Sequence, residues 1–230
     1  MQRPFDDELK SLKESLLEMA AHAEEAIALA ITGLKERDED KLRRVFPKEE
    51  AINRLEILID EECMRLLAIR QPMAADLRFV TSGMKIITDL ERIGDLAVNI
   101  VECTLDLLKY PQLKPLIDIP RMSLVAQDMV RNSINAFIHR DEALARAVCE
   151  RDDEVDQLND QIFRELLTYM MADSSTITRA VGLILIGRHL ERIADHATNI
   201  AEDVIYMVRG ETIKHHIEKH GLPGEDKPRR

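Results

Sequence analysis

The chain has 230 residues, of which 45% are hydrophobic and only 3% aromatic, with no tryptophan; this is enough apolar material for a sizeable core, of a kind that suits long helices on aliphatic seams. Its net charge of −11 at pH 7 argues against nucleic acid as a partner, because binding a phosphate backbone needs clustered Lys and Arg. Cys63, Cys103 and Cys149 are odd in number and without a CxxC spacing, so they read as reduced core thiols of a cytoplasmic protein.

In chain order, the charged opening MQRPFDDELKSLKESL has no apolar signal core, and the most apolar stretch, 180–186, is far shorter than a membrane span. The chain reads as neither exported nor spanning, with any membrane association peripheral and through partners. A first helix is expected to end near Arg37. A second, capped by Asp38, runs to about Arg70, and a third runs from about Met73 to Tyr110. Pro111, Pro115 and Pro120 mark a joint. The same order then repeats: helices from about Arg121 to His139, from Asp141 to about Met171, and from a Ser174/Ser175 cap to about Arg209. Beyond it GETIKHHIEKHGLPGEDKPRR has the composition of a frayed tail, and His215, His216 and His220 read as part of it.

The two halves are copies. DLERIGDLAVNI from Asp89 and HLERIADHATNI from His189 align at an offset of 100, whereas upstream Ile52, Leu55 and Ile59 match Val155, Leu158 and Ile162 at an offset of 103. The change of offset falls between RQPMAAD and MADSST, a loop. The fold class is therefore all-α, two tandem pseudo-symmetric three-helix bundles over residues 5–115 and 116–210, with a tail over 211–230.

The repeated motif places a glutamate and an aspartate four residues apart, side by side on a helix, where like charges cost about 0.2–0.5 kcal/mol. With Glu91 at 0°, Asp95 falls at about 40°, Asn99 at about 80° and Glu102 at about 20°, opposite the apolar seam of Ile93, Ala97 and Ile100. Glu191, Asp195, Asn199 and Glu202 repeat the stripe against Ile193, Ala197 and Ile200. A single such stripe is ordinarily a solvated face. Its recurrence at matched positions points instead to bound cations, since an ion turns repulsion between carboxylates into shared attraction, and hard oxygen ligands suit Mg²⁺, Mn²⁺, Ca²⁺ or iron. One helix cannot enclose an ion, so Glu56 and Asp60, and in the other half Asp153, Asp156 and Asp160, are candidate completing ligands.

Arg92 and Arg192 lie beside the stripes and read as charge balance, and His189 and His196 as packed residues rather than ligands. RQPMAADLR, with Asp76 and Arg78, reads as a helix–helix corner. No histidine has Glu three residues before it, which disfavours a ferritin-like di-iron core. Nor is there a phosphate-binding glycine loop, a G-x-S-x-G elbow, an HExxH or a paired Cys/His arrangement, so no residue carries an enzymatic activity.

DLERIGD, HLERIADHATNIAED, RQPMAADLR, FDDELKSLKESLLEM and the Arg-Asp turns at Arg37 and Arg140 together resemble the PhoU family of phosphate-uptake regulators, over residues from about 5 to 210. The resemblance implies two three-helix bundles, surface E/D-x-x-x-D motifs holding metal ions or multinuclear iron clusters, and no enzymatic role. By position those motifs are Glu91 with Asp95 and Glu191 with Asp195, and the expected cofactors are divalent or iron ions: iron, manganese, magnesium or zinc. It further implies a negative regulator of the phosphate regulon, a cytoplasmic adaptor linking the high-affinity phosphate ABC transporter to a phosphate-sensing histidine kinase, and a homodimer fits long bundles of this kind. The alternative is a helical scaffold whose stripes hold no metal.

Overall fold

The computed structural model describes residues 4–210; the tail with His215, His216 and His220 lies outside the described residues. Among the described residues every regular element is helical: α1 (Pro4–Glu36), α2 (Glu39–Arg43), α3 (Phe46–Arg70), α4 (Ala74–Leu108), α5 (Asp118–His139), α6 (Glu142–Glu150), α7 (Asp152–Ala172) and α8 (Ile177–Arg209), with a 3-10 turn at Ser174–Thr176 before α8. No described helix is long and apolar enough to cross a membrane.

The boundaries follow local chemistry. Asp38 caps α2 by accepting from the backbone N–H groups of Asp40 and Lys41, and Asp141 caps α6 in the same way from Leu144. The turns before both caps pass through Arg37 and Arg140 at φ 56°, a left-handed conformation that ends the preceding helix. The expected second helix of each half is in fact two. In the first half Pro47, unable to donate within a helix interior, sits in the opening turn of α3; in the second the break falls at Arg151, whose N–H reaches back only three residues to Val148. Neither Ser174 nor Ser175 caps α8 as expected: Asp173 caps the preceding 3-10 turn by accepting from the Ser175 N–H and hydroxyl, and α8 follows from Thr176 without a side-chain cap.

Each half is a three-helix bundle, α1 with α3 and α4, and α5 with α7 and α8. The halves are not separate bodies, however, because α4 packs along α8 and α1 along α5, and the buried side chains form one continuous core. Phe79 of the first half stacks on Phe137 of the second with ring centroids 4.5 Å apart. The α4–α8 seam is antiparallel and carries two polar ties where α4 begins and α8 ends: Arg78 Nε donates to the Met207 carbonyl at 2.8 Å, and Lys85 Nζ to buried Asp203 at 3.2 Å. Arg131 joins Glu24 across α1 and α5 at 2.8 Å. The result is two layers, with α3, α4, α8 and α7 side by side in one and α1 and α5 beneath it.

This packing explains the corner motif. Asp76 does not cap α4, whose N-cap is Met73 without a side-chain hydrogen bond; it pairs with Arg140 at 3.2 Å, while Arg78 reaches the end of α8. Both residues fasten one half to the other. The cysteines are free; Cys63 is buried, and burial followed by Asp60 pushes its thiol up to about 12.

Candidate functional site

Two grooves on the outer face of the four-helix layer carry the repeated acidic motifs, one between α3 and α4 and one between α7 and α8. The motif residues do not all point straight out. Glu91 and Glu191 are turned towards the neighbouring helix and half-buried, Asp95 is half-exposed and Asp195 exposed. The face is thus a wall of a groove, a correction to the fully outward stripe expected from the helical angles.

Across the second groove α7 contributes Asp152 and Asp156. Burial is the first cause raising the Asp152 carboxyl to about 6, followed by Asp195 and then Asp156. Glu191 is raised by burial, then by Asp156 and Asp195; Asp195 is raised by burial, then by Asp156; and Asp156 is raised by burial, then by Asp153 and Asp160 on its own helix. Four carboxylates on two helices thus raise one another, half-buried Asp152 and Glu191 lying between the helices and Asp156 and Asp195 at the exposed rim. Asn159 Nδ2 donates to Glu191 Oε2 at 2.8 Å, orienting that carboxylate, and the Thr198 hydroxyl reaches Asp152 at 3.4 Å.

The first groove repeats the plan. Glu91 is raised by burial and by Asp95, opposed by Arg92, with Glu56 and Glu49 adding further repulsion from α3. Arg92 lies 3.3 Å from Asp95 and 3.4 Å from Glu91, the charge balance expected of it. Glu91 Oε2 and Asn53 Oδ1 are nonetheless buried without a hydrogen-bond partner, and Asn53 Nδ2 donates to Glu49 Oε1 at 2.5 Å. Buried oxygen atoms left without donors are where a cation would be welcome.

Glu56 and Asp156 thus do face the motifs. Asp156 is itself exposed, as are Asp60 and Asp153, and Asp160 is paired with Arg164 at 3.1 Å. Sequence reasoning missed Glu49, Asn53, Asp152 and Asn159, although the offset of 103 pairs Glu49-Asn53-Glu56 with Asp152-Asp156-Asn159 at i, i+4 and i+7, one face of a helix. The far ends of the stripes separate from the groups nearest the motif. Glu102 and Glu202 stand eleven residues beyond Glu91 and Glu191, about 16 Å along the axis, too far to share an ion with them. Glu102 is exposed, whereas Glu202 faces Cys149 of α6 and helps raise its thiol. Asn99 is half-buried and Asn199 exposed, one turn beyond the aspartates.

The histidines are packing residues, as expected: His196 Nδ1 lies 2.8 Å from Asp89 on α4, and His189 Nε2 is 4.0 Å from Cys103 Sγ. Among the described residues no three His, Cys, Asp or Glu side chains converge closely enough to hold a metal ion as they stand. In chemistry, though not in spacing, the donor set suits a hard cation: Glu49, Glu56, Glu91 and Asp95 would hold it in one groove, and Asp152, Asp156, Glu191 and Asp195 in the other, once their side chains close in.

The fold is an all-helical tandem repeat with an acidic groove at matched positions of each half. The PhoU domain model matches the chain twice, over residues 16–104 and 119–204, one match per bundle. The chain belongs to the PhoU family. It is 43% identical over 215 residues to the phosphate-specific transport system accessory protein PhoU homolog of Aquifex aeolicus (strain VF5), covering 93% of this chain and 97% of that relative. Against the phosphate-specific transport system accessory protein PhoU of Escherichia coli (strain K12) the identity is 35% over 211 residues, with 92% and 88% covered. The crystal structure of PhoU from Pseudomonas aeruginosa matches with a TM-score of 0.86 at 39% identity, covering 90% of this chain and all of that one. That of the phosphate transport system regulatory protein PhoU from Streptococcus pneumoniae matches at 0.84 and 32% identity.

Proposed function

We propose that this protein is a cytoplasmic, non-enzymatic regulator of high-affinity phosphate uptake, binding divalent or iron ions in its two acidic grooves and linking a phosphate ABC transporter to a sensor histidine kinase. The observation that carries the accessory role is the double PhoU match together with relatives that are accessory proteins of a phosphate transport system. What supports metal binding is that each groove brings carboxylates of two helices together, with Glu91 in one and Asp152, Asp156, Glu191 and Asp195 in the other raised by burial and by acidic neighbours, and with Asn53 and Asn159 holding one carboxylate in each. A cation there would supply charge neutralisation and shape the groove for a partner.

Deleting the gene tests the regulatory role: phosphate-starvation genes should then be expressed in phosphate-rich medium. Normal repression in the deletion strain would count against it. A second reading, a helical adaptor without metal, is favoured by the lack of three converging ligands among the described residues. Elemental analysis of the untagged protein separates the two.

A further inference from the structure

The segment 109–117, which joins the two halves, is fastened to both of them by arginine. Arg37, in the left-handed turn that ends α1, donates through Nη2 to the carbonyls of Leu108 at 2.9 Å and Tyr110 at 2.6 Å. Arg179, in the first turn of α8, donates through Nη1 to the next carbonyl along, that of Pro111, at 3.4 Å. Successive Cα atoms are about 3.8 Å apart, so these bonds bring guanidinium groups from opposite halves together over one short stretch of linker. Both arginines also line a small cavity of about 20 Å³, walled by leucines of α1, α4, the linker and α8. The third cation of that lining, Lys114, is buried and already ion-paired with Glu165 of α7.

We propose that Arg37 and Arg179 form a site for a tetrahedral dianion of the phosphate type, free phosphate or the phosphoryl end of a monoester, seated between the two guanidinium groups at the mouth of this cavity. Bracing the linker does not by itself account for the pair. Each guanidinium carries five N–H donors, and the linker carbonyls engage one nitrogen of each. Among the described residues that line the cavity there is no acid, although the chain as a whole carries −11. The acids nearest in sequence have other partners: Glu36 pairs with Lys41, Asp106 with Lys109, and Asp173 accepts from Ser175, with Arg179 only a lesser influence on it. Two cationic groups without a carboxylate partner match a dianion better than a monoanion, and the planar guanidinium fork suits phosphate oxygens. An anion held there would touch the end of α1, the linker and the start of α8 at once, bracing the joint between the halves. The inference draws on these contacts alone and depends on neither the metal nor the regulatory reading.

The test uses the full chain in EDTA, so that no metal bridges the anion, at low salt and about pH 8, where phosphate is mostly the dianion. Inorganic phosphate is titrated by calorimetry and by melting temperature, beside glycerol 2-phosphate and beside sodium acetate at matched ionic strength. Phosphate should raise the melting temperature and bind at least tenfold more tightly than acetate. Arg179→Gln should weaken phosphate binding at least tenfold, whereas Arg188→Gln, which removes an exposed arginine from the same helix, should change it less than twofold. Arg37→Gln should act like Arg179→Gln; because it also loses the bonds that end α4, circular dichroism and melting without phosphate check its fold. A monoester that binds as tightly as phosphate makes the phosphoryl group the recognised unit, and one at least tenfold weaker makes it the free anion. A phosphate titration without heat or melting shift, equal binding of acetate, or an affinity that Arg179→Gln leaves unmoved or that Arg188→Gln lowers as much, would overturn the proposal.

Discussion

His196 on α8 and Asp89 on α4 lie 2.8 Å apart, Nδ1 to Oδ1, in the seam between the two halves, both side chains about one-fifth exposed. Because a carboxylate only accepts, the ring nitrogen donates. His196 follows Asp195, and Asp89 precedes Glu91 by two residues, so this single bond fastens the backbone of one acidic groove to that of the other. Asp89→Ala leaves the imidazole N–H without its acceptor and should cost about 1–2 kcal/mol in urea unfolding. Asp89→Asn, which keeps an acceptor oxygen, should cost less than half as much.

The carboxylate crowding has a pH signature. Asp152 stands at about 6 in the folded protein against an ordinary 3.8, so between those values the folded state holds a proton the unfolded chain has released. Its contribution to stability therefore falls as pH rises through that window, and the full cost persists at pH 7. Asp152→Asn removes this cost. After allowance for solvent screening of a half-exposed group, the variant should gain about 1 kcal/mol at pH 7 in EDTA and almost nothing at pH 4. Paired urea titrations at the two pH values check it.

Two glycines separate packing from the site. A Cβ on Gly83 would meet Leu16, Phe137 and Cys63 only at 3.9–4.0 Å, ordinary contact, so Gly83→Ala should stabilise by up to about 1 kcal/mol through helix propensity. On Gly187 the Cβ would lie 2.9 Å from Asn159 Oδ1, and the side chain that must move is the one holding Glu191. Gly187→Ala should change the melting temperature little while weakening Mn²⁺ binding several-fold, read by melting and titration of the same samples.

The repeat made most of this fold legible. Asp38, Asp141 and the left-handed arginines before them mark their helix ends locally, and the i, i+4 acidic pairs are plain in both halves. The break at Pro47 was available from proline chemistry; the break at Arg151 has no comparable residue to announce it. What the pattern does not encode is how the halves meet. The α4–α8 seam pairs residues as far apart as Lys85 and Asp203, 118 positions along the chain, and nothing in a 3.6-residue period names a partner at that distance. The three-helix plan puts α3 and α7 beside the motifs, and Glu56 and Asp156 follow from it, but the helical angles of α4 and α8 alone do not show which other acids of those helices face them. Glu49 and Asp152 could have been found by extending the offset of 103 from the apolar positions to the polar ones between them.

Calorimetric titration of the untagged, EDTA-treated protein with MnCl2, beside the variant carrying Asp95→Asn and Asp195→Asn, bears on the whole account. The wild type should take up at least one ion per groove, with the variant at least tenfold weaker at both. A wild-type titration without binding heat and without retained manganese after dialysis, or a variant whose isotherm overlays it, would contradict the view that cations relieve the crowding of these carboxylates.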